Sequence, residues 1–109
     1  MAFDEALAER VRATVAGVGG VVEKRMFGGL AFVVNGNMAV GVHGDDLIVR
    51  LAPDQTEEAL AEPGVRVFDM TGRPMKGWVL VGSEALAGDE ELGGWVTRGL
   101  DFAESLPPK

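Results

Sequence analysis

The chain contains no cysteine. Disulfides, zinc–thiolate sites and cysteine nucleophiles are therefore excluded, and the absence fits a reducing, cytoplasmic setting. Histidine occurs once, at His43, so Ser–His or Cys–His catalysis finds no support around it. A metal site built on His43 with Asp45 and Asp46 would want further nitrogen or sulfur ligands. A surface histidine beside a turn is the plainer account. No apolar run approaches the ~18 residues of a membrane span, and the acidic start Met1-Ala2-Phe3-Asp4-Glu5 lacks the regions of a secretory signal. Cations are the minority: 10 Lys+Arg against 17 Asp+Glu give a formal net charge of −7. Counterion release from nucleic acid needs clustered cations, so direct nucleic-acid binding is disfavoured.

What is present points to one small domain over residues 1–109. A chain of this length buries roughly two thirds of its unfolded surface, enough for a core without metal or disulfide staples. Glycine is abundant, 16 of 109 residues, and falls at turns between apolar runs, as in short strands joined tightly. There is no internal repeat and no low-complexity segment. Phe3, Leu7, Val11, Val15 and Val18 form the stripe of an amphipathic helix over roughly 3–16, capped by Asp4 and stopped by Gly17, Gly19 and Gly20. Strands are expected at 21–26, 30–34, 37–43 and 47–51. Asn35-Gly36 is the type I′ hairpin signal between the second and third. Pro53 opens a helix that ends near Ala61. A strand over 65–70, the loop 71–77, a strand over 78–81 and one helical turn at 83–86 follow. A final helix, capped by Asp89, carries Leu92, Trp95, Val96, Leu100 and Ala103 on one face. The fold class is α+β: a mostly antiparallel sheet, with a central three-stranded meander and a second strand pair, plus N-terminal, middle and C-terminal helices.

A two-residue hairpin loop pairs Val34 with Asn37, Val33 with Met38 and Phe32 with Ala39. One face then carries Ala31, Val33, Met38, Val40 and Val42, and the other Leu30, Phe32, Val34, Ala39 and Gly41. Neither face is polar, so both need a cover, from helices or from a second subunit.

Two Gly-bounded loops concentrate cations beside large apolar side chains: Lys24, Arg25, Met26, Phe27, Gly28 and Gly29 in one, Arg73, Met75, Lys76 and Trp78 in the other. If both lie at one end of the sheet, Lys24, Arg25, Arg73 and Lys76 converge, and backbone N–H groups at Gly28, Gly29 and Gly77 help hold a small anion. Alternatively Met26, Phe27, Met75 and Trp78 plug the end of the core while the cations neutralise nearby carboxylates. Opposite ends of the sheet would sink the convergent site. The acidic pairs Asp4-Glu5 and Glu57-Glu58 and the run Asp89-Glu90-Glu91 all sit near helix starts, where the helix dipole accounts for them without acid–base catalysis. Gly17-Val18-Gly19-Gly20 follows a helix and precedes a strand, the reverse of the order a nucleotide-binding loop needs.

Arg25-Met26-Phe27-Gly28-Gly29, the Asn35-Gly36 hairpin, Gly72-Arg73-Pro74-Met75-Lys76-Gly77-Trp78 and the closing Ser105-Leu106-Pro107-Pro108-Lys109 resemble the TfoX/Sxy family, in its N-terminal domain, over nearly the whole chain. The resemblance implies an α+β fold and no catalytic residues. Its namesakes regulate natural competence as transcriptional coactivators with the cyclic-AMP receptor protein, and carry a second, helical C-terminal domain. These 109 residues hold only the first, as a short stand-alone member would. The expectation is a non-enzymatic, cofactor-free interaction domain that works through a protein partner or as a homodimer. The second reading is a small-anion or metabolite sensor using the two basic loops.

Overall fold

The computed structural model describes residues 4–26, 29–68 and 77–108. Helix α1 spans Glu5–Val15 and starts where Asp4 caps it: its carboxylate accepts the N–H groups of Ala6, at 2.9 Å, and Leu7, at 3.2 Å. Leu7, Ala8, Val11 and Val15 bury the apolar stripe. Strands β1 (Val21–Met26), β2 (Gly29–Val34), β3 (Asn37–His43) and β4 (Asp46–Arg50) follow as an antiparallel meander. Asn35 and Gly36 take φ of 52° and 82°, the positive values of a type I′ turn. A 3-10 turn at Pro53–Gln55 leads into the short α2 (Thr56–Leu60). Strands β5 (Val65–Val67) and β6 (Trp78–Val81), a 3-10 turn at Ser83–Ala85 and α3 (Asp89–Ser105) complete the chain. The meander and the second strand pair form one six-stranded sheet, ordered β1-β2-β3-β4-β6-β5, with antiparallel neighbours throughout.

Three local expectations need correction. The β2–β3 pairing begins as expected, with Val34 opposite Asn37 and Val33 opposite Met38, but Phe32 then faces Val40. Ala39 is the extra residue of a β-bulge, and beyond it the alternation switches sides. Val40 and Val42 therefore join Leu30, Phe32 and Val34 in the helix-side core, while Gly41 turns to the other face, near Met38 and Ile48. The bulge lies where α3 comes closest: a Cβ on Gly99 would stand 2.6 Å from the Ala39 carbonyl oxygen and 2.7 Å from Val40 Cγ1. Asp89 does not cap α3. Gly88 holds the cap position without a side-chain bond, and Asp89, the first helical residue, pairs with Arg10 at 3.2 Å. The strand expected over 65–70 stops at Val67, and residues 69–70 lie outside the described ones.

Both sheet faces are apolar, as the pattern demands, but they are covered differently. All three helices contribute to one core, with Leu7, Val11, Ala59, Leu92, Trp95 and Leu100 packed over β2, β3, β4 and β6. The other face holds a smaller cluster of Ala31, Val33, Met38, Ile48 and Phe68, edged by Trp78 and Leu80. Ala31 and Ile48 are 0 % and 1 % exposed there, with no helical residue in the cluster.

Candidate functional site

The strand register decides whether the two basic loops meet. β1 ends at Met26 opposite Gly29. Going across from there, Leu30 faces Val42, Val42 faces Leu47 and Leu47 faces Val81. Trp78 faces Arg50, three residues along β6 from Val81 and towards the Asn35-Gly36 hairpin. The hairpin that carries Lys24 and Arg25 and the strand end that carries Trp78 thus lie at opposite ends of the sheet. Among the described residues, Lys24 and Arg25 are therefore not brought together with Trp78. Phe27, Gly28, Arg73, Met75 and Lys76 lie outside the described residues.

At the first end, Lys24 and Arg25 are exposed on β1, an edge strand, and Gly29 is buried at the start of β2. Gly29 has a packing reason to be glycine: a Cβ there would collide with the Val42 carbonyl oxygen. Met26 closes β1 as the partner of Gly29. Glu23, between Val22 and Lys24, is held by Arg12 of α1, whose Nε lies 2.5 Å from Glu23 Oε1 and which also pairs with Glu9. The hydrogen bond to Glu23 raises the Arg12 pKa above its ordinary value; burial opposes it, and the charge of Glu23 and the contact with Glu9 add to the rise. An open groove of about 240 Å³ runs beside this strand, lined by Val15 and Val18 on one side and Val21 and Phe32 on the other, with the Arg12–Glu23 pair among its walls.

At the second end, Trp78 is half-buried and makes an edge-on contact with Phe68, ring centroids 5.9 Å apart. The Arg50 guanidinium lies 5.1 Å from the Trp78 centroid and 5.6 Å from that of Phe102 on α3. One cation thus joins the end of the sheet to the helix layer. Next to it, Ala52, Gln55, Arg98, Asp101 and Phe102 line an open cleft of about 310 Å³. Arg98 is engaged there, 4.3 Å over the Trp95 ring and 3.1 Å from Glu62. Trp78 is therefore packed between the Phe68 ring and the Arg50 guanidinium.

Arg50, Phe102 and Arg98 were missing from the sequence-derived candidates. Each reads as an ordinary strand or helix residue, and the cation contact joins Arg50, Trp78 and Phe102, three positions far apart in the chain. The one available signal was the charge that ends the otherwise apolar Leu47-Ile48-Val49-Arg50 run.

Arg66 holds Asp46 at 2.5 Å, and that hydrogen bond and its charge raise the Arg66 pKa. His43 lies opposite Asp46 at the β3–β4 turn. Among the described residues, no three His, Asp or Glu side chains are grouped to hold a metal ion, and no helix is long and apolar enough to cross a membrane.

A single antiparallel sheet with its helices gathered on one face, a long exposed edge strand and an aromatic–cation cluster at one end defines a small α+β domain of the TfoX N-terminal type. The chain belongs to that family: the TfoX N-terminal domain model matches residues 13–103. Comparisons with curated proteins and with solved structures each returned no match.

Proposed function

We propose that this domain acts by contact with other proteins, in regulation of the transcription or competence type, and not by catalysis. The observation that carries this is the β1 edge. It is six residues long, no described strand pairs with its outer side, and Val22, Glu23, Lys24 and Arg25 are all exposed. An open edge of this length offers main-chain donors and acceptors in register, the means by which sheets recruit a further strand. Val22 is 53 % exposed, an apolar side chain that a contact would cover. The regulatory context is supported by family membership alone.

The test is affinity capture from extract of the native host, with the full chain as bait beside the same chain carrying Val22→Lys. A protein held reproducibly by the parent and lost by the variant is the expected result. Identical recovery by the two baits overturns the proposal, as does recovery by neither together with a chain that stays monomeric in solution.

A further inference from the structure

We propose that the partner of the β1 edge is a second copy of this chain, paired antiparallel about a two-fold axis through Lys24. This deepens the contact reading above and rests on it. Symmetry selects β1 against β1. A contact of one copy's β1 with another's β5 would leave a free edge at each end and propagate, whereas β1 against β1 closes. The outer edges of the pair would then be β5, only three residues long, with Arg66 held to Asp46. Such a short, charged edge is a poor template for further addition.

The register follows from the faces. Val21, Glu23 and Arg25 stand opposite Val34, Phe32 and Leu30 on the helix side, and Val22 and Lys24 stand opposite Val33 and Ala31 on the other. A two-fold axis normal to the sheet keeps each face continuous, so residues facing across the junction share a side. An axis through Glu23 would set two carboxylates directly opposite. An axis through Lys24 sets Glu23 of each copy against Arg25 of the other, twice, with Arg12 already lying on Glu23. The two Lys24 side chains meet on the opposite face, where their long stems carry the ammonium groups apart. Pairing would also bring the exposed Val22 into the sheet. A contact confined to one six-residue strand edge is small, so weak association that depends on concentration in the micromolar range is expected, on the order of 10–100 µM by analogy with transient encounters.

Sedimentation velocity on the full chain, from about 5 to 500 µM to bracket that range, should show conversion from 11.5 kDa to twice that mass. Arg25→Glu should remain a monomer throughout. The exchanged pair Glu23→Arg with Arg25→Glu should dimerise again, circular dichroism confirming the fold. In the parent, amide exchange over residues 21–26 should slow as concentration rises, a readout that needs no variant to fold. A parent that stays monomeric, an Arg25→Glu chain that dimerises as the parent does, a folded double variant that stays monomeric, or exchange at β1 that ignores concentration overturns the proposal. If the parent is monomeric but a different protein is still captured in a Val22-dependent way, self-pairing falls and the contact reading stands.

Discussion

Gly99, Gly93 and Gly94 share one helix and answer to different physics. A methyl group at Gly99 would press on the Ala39 carbonyl and on Val40, whereas nothing lies within 4 Å of a Cβ at Gly93 or Gly94. Gly99→Ala should cost about 1–3 kcal/mol through overpacking against the bulge. Gly93→Ala or Gly94→Ala should add about 0.5–1 kcal/mol by limiting the unfolded chain. Urea unfolding of the three variants checks both signs, and a neutral Gly99→Ala would refute the close approach of α3. Thr56 is the corresponding polar case. Its buried hydroxyl donates to the Ala52 carbonyl at 3.3 Å and accepts the Gly77 N–H at 3.0 Å. Thr56→Val keeps the shape and strands that N–H, so a loss of about 1–3 kcal/mol is expected in the same assay. None of these roles could be read from residue type. Gly29 stood among the binding candidates because its loop is basic, yet it is glycine because the Val42 backbone passes next to it.

Elements were legible where local chemistry rules. Asp4 capping α1 and Asn35-Gly36 turning the β2–β3 hairpin are short-range devices, and both took the expected form. The β2–β3 register was legible only up to Met38, because the bulge at Ala39 lies against Gly99 of α3, sixty residues further along the chain, and no local pattern marks that contact. The end of β6 was opaque for the same reason. Trp78, Arg50 and Phe102 meet only after β6 has inserted between β4 and β5 and α3 has settled on the sheet. Arg50→Ala removes the cation from both rings and should cost about 1–2 kcal/mol. Arg50→Lys should recover part of that. Thermal unfolding followed by Trp fluorescence measures the series, and an Arg50→Ala chain as stable as the parent would show that the cation joins nothing of consequence.

For the whole molecule, charge is the main lever. With a formal net charge of −7 the folded chain repels itself, while its ion pairs, Arg10–Asp89 and Arg98–Glu62 among them, are largely exposed and individually weak. Added salt screens the long-range repulsion, so the thermal midpoint should rise from about 10 mM to about 0.5 M sodium chloride. A falling midpoint would mean that the ion pairs outweigh the net repulsion. The raised pKa values of Arg12 and Arg66 act in the other direction along the pH axis. A group whose folded pKa lies above its unfolded one contributes fully below the unfolded value and is lost only as pH rises through the folded one. For these guanidiniums that window is strongly alkaline, so neither shift adds pH dependence across the neutral range.

By itself the sequence determined the α+β class, the α1 cap, the hairpin turn and the need to cover both faces of the meander, because capping, turn geometry and side-chain alternation act within a few residues of chain. Only the tertiary structure decided the strand order, the side on which Val40 and Val42 are buried, and the separation of Lys24 and Arg25 from Trp78. Those depend on which distant backbones pair and how closely a helix can approach them, and no local pattern encodes that.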